Sequence, residues 1–159
     1  MNTPKRFILI DHDVINIMLC RMLVYATVKD AEIKTFESPE KGFDYIRMQY
    51  AKEGKEEPTV LFLDIDMPTW SGWDFLESFE RLEEKIKRQI RIYMLSSSID
   101  PKDREYAKQN RNVVDYIEKP LNKHILLSCL EEASVFYNMN ANPFEKAIHF
   151  FKTQIRGSN

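Results

Sequence analysis

Apolar and polar positions alternate along the chain in two rhythms. Residues 7–10 (FILI), 60–63 (VLFL), 90–95 (IRIYML) and 113–117 (VVDYI) are short apolar runs rich in β-branched and aromatic residues, and residues 32–36 (EIKTF) form a weaker fifth. Near-continuous runs of this kind fit parallel strands covered on both faces. Each is followed by a polar turn and then by apolar residues at helical spacing. The turns carry readable helix starts: Ser38-Pro39, Asp100-Pro101 and Asn142-Pro143 each set a capping side chain before a proline suited to the first helical turn, and Asn122 can cap the segment after Pro120. Strand and helix repeated five times predict a doubly wound α/β fold with a five-stranded parallel sheet and right-handed crossovers.

In an open parallel sheet, ligands bind beyond the carboxyl ends of the strands. Four predicted strands carry polar chemistry there: Asp11, His12 and Asp13 after the first, Asp64 and Asp66 after the third, Ser96, Ser97 and Ser98 after the fourth, and Lys119 after the fifth. Converging carboxylates repel unless a cation sits among them, and an oxygen-rich set suits Mg²⁺. A carboxylate shielded in this way can attack phosphorus and become an acyl phosphate, while a hydroxyl and an ammonium hold the phosphoryl oxygens. Asp64, at the end of the most apolar run, is the expected nucleophile.

Length and charge narrow the field. With 159 residues the chain suits one well-buried domain. A net charge of −2 with 30% charged residues offers no basic stripe, so nucleic acid is not an expected partner. Cys20 and Cys129 lie far apart in apolar helical patterns and are expected to be reduced core thiols. No apolar run approaches the roughly 20 residues that span a bilayer, and the N-terminus does not resemble a signal peptide; a cytoplasmic protein is expected.

The segments ILIDHD, VLFLDIDMPTWSGWDFL, IYMLSSS and DYIEKPL, in that order and at those intervals, resemble the receiver domain of bacterial two-component response regulators. The resemblance covers about residues 5–137 and implies a flavodoxin-like fold. It implies that Asp64 accepts a phosphoryl group from a phosphohistidine on a histidine kinase or histidine phosphotransfer protein. It makes Asp11 and the backbone carbonyl of Asp66, with Asp64, the holders of Mg²⁺. Ser96 and Tyr116 become the switch pair, Lys119 the partner of the phosphoryl group, and Lys119-Pro120 a cis bond. Phosphorylation would draw Ser96 inward and let Tyr116 rotate, remodelling the face around the fifth strand.

His12 departs from the pattern, since the second position of the acidic pair usually supplies a carboxylate. Three outcomes follow from that exchange. Mg²⁺ binds more weakly through the remaining groups; His12 coordinates and shifts preference toward Mn²⁺; or the imidazole turns away, leaving a phosphorylation-impaired binding module. A phosphatase of the haloacid-dehalogenase type is the alternative from another class, because Asp11-His12-Asp13 and Asp64-Ile65-Asp66 both fit its minimal D-x-D pattern. The segment after Lys119 lacks the acid pair such enzymes need.

Plainer roles compete at several positions. Asp13 is expected to cap the first helix, Ser97 and Ser98 to be ordinary loop hydroxyls, and His124 and His149 to lie at the surface or in packing. Residues 80–88 read as a solvated helix face with i,i+4 charge pairs. Trp70 and Trp73 either cover the site or meet a partner. After Tyr137, residues 138–159 form an extension in which Phe144, Ile148, Phe151 and Ile155 make one apolar helical stripe, covered by the receiver itself or by another chain, as in a homodimer. With no room left for an output domain, a stand-alone regulator is expected.

Overall fold

The computed structural model describes residues 3–52, 56 and 58–141. Five strands, β1 (Arg6–Ile10), β2 (Glu32–Phe36), β3 (Thr59–Asp64), β4 (Ile90–Ser96) and β5 (Val113–Glu118), alternate with helices α1 (Val14–Thr27), α2 (Pro39–Tyr50), α3 (Gly72–Glu80), α4 (Glu84–Lys87), α5 (Pro101–Gln109) and α6 (Lys123–Ala141). All strand pairs are parallel, in the order β2-β1-β3-β4-β5, which leaves β2 and β5 at the margins. This is the doubly wound flavodoxin-like order, and its switch point lies between β1 and β3.

Period-two alternation divides the core. Ile8, Ile10, Leu61, Leu63, Ile92 and Met94 face one side with Ile46, Phe75, Leu76 and Phe79, while Phe7, Leu9, Val60, Phe62, Tyr93 and Leu95 face the other with Val24, Leu126, Leu130 and Ala133. Every residue of β3 is buried, as its unbroken apolar run predicts. At the foot of the sheet, the hydroxyl of Tyr137 shares its one proton between the carbonyls of Gln89 and Thr59, at 2.8 and 2.9 Å, and accepts from the Thr59 amide at 3.1 Å. Helix α6 therefore anchors the starts of β3 and β4.

The capping expectations meet their residues directly. Asp13 caps α1 through Ile15 N, Ser38 caps α2 through Lys41 N and Asp100 caps α5 through Lys102 N, with Pro39 and Pro101 in the first turns. The Asn122 carboxamide accepts from Ile125 N at 3.0 Å. The charged run at 80–88 needs correction: it is not one solvated face. Helix α3 stops at Glu80, and the single turn of α4 buries Ile86 and the stem of Lys87, whose ammonium donates to the Glu80 carbonyl at 3.1 Å. A lysine stem covering apolar surface while its head finds an oxygen explains the difference. Cys129 is buried and Cys20 half-buried, both free thiols. The expected stripe of Phe144, Ile148, Phe151 and Ile155, the Asn142-Pro143 cap and His149 lie outside the described residues. Among the described residues no helix is long and apolar enough to cross a membrane.

Candidate functional site

Strand ends build the rim. Asp64 is the last residue of β3, between β1 and β4, and its side chain is 1% exposed. Behind it the Gly72 amide donates to the Ile65 carbonyl at 2.8 Å, bringing α3 so close that a Cβ at position 72 would lie 2.6 Å from the Asp64 carbonyl oxygen. Only glycine permits that approach. A capping box between Ser71 and Asp74 fixes the same turn. Asp11 follows β1 and extends the pairing with β2 through its amide on the Phe36 carbonyl at 3.1 Å. Lys119 follows β5, its amide on the Ser96 carbonyl at 2.9 Å, and the Lys119-Pro120 bond is cis.

These placements bring three charges together in a nearly dry setting. The Lys119 ammonium lies 2.7 Å from Asp11 Oδ2 and 3.0 Å from Asp64 Oδ1. Burial pulls the ammonium down, but the two carboxylates outweigh it and leave Lys119 above its ordinary value. For Asp11 burial prevails: despite the Lys119 and Asp13 hydrogen bonds, its carboxyl is held above the usual range. Two carboxylates against one ammonium leave the cluster one negative charge in excess.

His12 joins the cluster from the open side. Its Nδ1 is 3.0 Å from Asp64 Oδ2 and 3.9 Å from Asp11 Oδ1, and its ring is 47% exposed. Asp11 Oδ1, the imidazole and the Asp64 carboxylate all place a ligand atom within 4.8 Å of one another. Lys119 occupies the opposite oxygens of both carboxylates, so Asp64 Oδ2 and the second lone pair of Asp11 Oδ1, whose first is taken by the Asp13 amide, face the side of His12. A donor set of two carboxylates, with excess negative charge and an open approach, fits the divalent ion expected from the sequence.

Other expected residues lie around this cluster. Asp66 is exposed, and its carboxylate is not among the three converging groups. Asp13 serves as the α1 cap, and its amide donates to Asp11 Oδ1 at 2.8 Å. Ser96, fully buried, accepts from the Ser98 amide at 2.9 Å. Tyr116 is 5% exposed and donates to the Ser98 carbonyl at 2.9 Å, with the Arg104 guanidinium 5.0 Å from its ring centre. The Ser98 hydroxyl is the expected loop hydroxyl, accepting from the Asp100 amide at 3.1 Å, while its backbone joins Ser96 to Tyr116. Backbone atoms carry no residue-specific signal, so sequence reasoning had nothing to find. Trp70 packs edge-on against Phe43 at 5.8 Å and Trp73 against Tyr106 at 4.7 Å, so each leans on a neighbouring helix.

Comparison with known proteins places this arrangement. The model of the response regulator receiver domain matches residues 7–131. The chain belongs to that family. Among solved structures, a response regulator receiver protein from Dyadobacter fermentans DSM 18053 is 29% identical, with a TM-score of 0.70 over 80% of this chain and 96% of its own. A two-component response regulator from Cytophaga hutchinsonii is 26% identical, with a TM-score of 0.75 over 83% of this chain and 98% of its own. A CheY-like receiver domain protein from Methanospirillum hungatei JF-1, 18% identical with a TM-score of 0.65 over 86% and 98%, shares the fold. Comparison with curated proteins gives no significant match. As a receiver, the chain is a signalling domain of a two-component system. The match favours neither the impaired binding module nor the dehalogenase-type phosphatase.

Proposed function

We propose that this receiver domain accepts a phosphoryl group on Asp64 from the phosphohistidine of a histidine kinase or histidine phosphotransfer protein. The observation that carries the reading is the buried Asp64 carboxylate, paired through one oxygen with Lys119 and open on the other side toward His12. A carboxylate oxygen of Asp64 attacks phosphorus; the bond to the donor imidazole nitrogen breaks, and that nitrogen keeps the electron pair. An aspartyl phosphate results. A divalent ion, Mg²⁺ or Mn²⁺, held by Asp11, Asp64 and the Asp66 carbonyl, would neutralise charge on the transferring group. Lys119 binds a phosphoryl oxygen in place of Asp64, and Ser96 exchanges its bond with Ser98 for another.

The surface beside Asp64 supports a protein donor. From α1, which starts next to His12, Val14, Ile15, Met18, Leu19 and Met22 are each at least half exposed, an apolar face rimmed by polar residues. A partner seated there would bring its imidazole to Asp64. Through Ser98 the state of Ser96 reaches Tyr116, and the signal leaves by contact of the β5 region with a target protein in the cytoplasm.

Intact-mass measurement after exposure to a small phosphodonor with Mg²⁺ or Mn²⁺ tests the proposal. The parent gains the mass of one phosphoryl group and Asp64→Asn gains none. A parent unmodified in both metals, or an equal adduct on Asp64→Asn, would overturn it.

A further inference from the structure

We propose that the His12 imidazole is a direct metal ligand, so that this receiver takes first-row transition ions such as Mn²⁺ in preference to Mg²⁺. The inference rests on the proposed function only in placing a divalent ion at Asp64. Around an octahedral ion with bonds of about 2.1 Å, adjacent ligand atoms stand about 3 Å apart. His12 Nδ1 and Asp64 Oδ2 are 3.0 Å apart, and Asp11 Oδ1 is 3.9 Å from the same nitrogen. The His12–Asp64 spacing already suits adjacent ligands of one small ion, and Asp11 Oδ1 would have to close by about 1 Å to join them.

The surroundings hold the ring for this task. Position 12 lies inside a turn closed by the Asp13 amide on Asp11 Oδ1, and Asp13 is itself fixed as the α1 cap. The backbone on both sides of the imidazole is thus restrained while the ring stays half exposed, so packing does not account for its direction. Lys119 spends its hydrogen bonds on Asp11 Oδ2 and Asp64 Oδ1, which leaves Oδ1 of Asp11 and Oδ2 of Asp64 turned toward His12. An all-carboxylate set suits hard Mg²⁺, whereas a nitrogen donor raises affinity along the first-row series and adds nothing for an ion that keeps its water. The competing account is a simple hydrogen bond from His12 to Asp64 with no metal contact.

Pulsed electron paramagnetic resonance of Mn²⁺ bound to the full chain separates the two. A directly bound imidazole gives a nitrogen hyperfine coupling, expected in the parent and lost in His12→Asp. In competition, the Mg²⁺ excess needed to displace half the Mn²⁺ should be about tenfold higher for the parent than for His12→Asp. Absence of the coupling in the parent, or its persistence in His12→Asp, overturns the proposal; so does failure of the parent to bind Mn²⁺. The parent spectrum decides even if the variant does not fold. Missing coupling with a phosphoryl adduct on Asp64 sinks this inference alone, whereas the coupling without an adduct sinks the phosphoacceptor reading and leaves the ligand assignment standing.

Discussion

Removing the Lys119 ammonium should destabilise the protein far more than removing an ordinary surface charge. In Lys119→Met, Asp11 and Asp64 lose a partner at 2.7 and 3.0 Å, and all three side chains are at most 11% exposed. Breaking a buried pair by deleting one member costs about 3–5 kcal/mol, because the remaining charge stays buried without compensation. Here two carboxylates remain, so the upper part of that range is expected. The double variant Lys119→Met with Asp64→Asn removes one of them and should recover a large fraction, giving a coupling energy of about 1–3 kcal/mol.

The loss should also depend on pH. The folded Asp11 carboxyl already lies above its ordinary value, mainly through burial, so its contribution to stability is fully present below that value and fades as pH rises through the folded one. Without the ammonium this preference for the protonated form grows, and the deficit of Lys119→Met should shrink as pH falls from neutral through the raised Asp11 value. In the parent, Lys119 lies above its ordinary value, so its own contribution persists until pH climbs through that raised value. Urea unfolding with an unchanged slope is the assay. A deficit below about 1 kcal/mol, or a double variant equal to the sum of its singles, would refute the argument.

Two further outcomes follow from the packing. Gly72→Ala would set a methyl 2.6 Å from the Asp64 carbonyl oxygen, an overpacking expected to cost about 1–3 kcal/mol; a melting temperature equal to or above the parent's contradicts it. Burial pushes the Cys20 thiol up to about 11 and the Cys129 thiol up to about 12, so alkylation near pH 8 should be slow in the native protein and fast in denaturant. Equal rates in the two conditions would show that neither thiol is shielded.

Much of the fold is legible because burial on both faces leaves short apolar runs, rich in β-branched residues and bounded by turns, that fit parallel strands. Observed strands nonetheless outrun those runs: β3 includes Thr59 and Asp64, and β4 includes Ser96, because backbone pairing continues past the last apolar side chain. Four residues of α4 are too few to display a helical period. The meeting of Asp11, Asp64 and Lys119 could be read from their positions at strand ends, since parallel strands deliver those ends to one rim. The direction of His12 could not, because a turn residue's side chain is aimed by local hydrogen bonds that leave no periodic trace. Tyr137 likewise reads as one more apolar helix position, yet its hydroxyl serves three backbone groups at the foot of the sheet.

An open sheet has two margins, and each is a template on which a foreign strand could grow. Here β2 carries the exposed charges Glu32 and Lys34, and β5 the exposed charges Asp115 and Glu118. A strand added to either margin would have to strip water from charged groups, which natural sheets use to discourage fibrous growth. Growth of the sheet from either margin is therefore disfavoured.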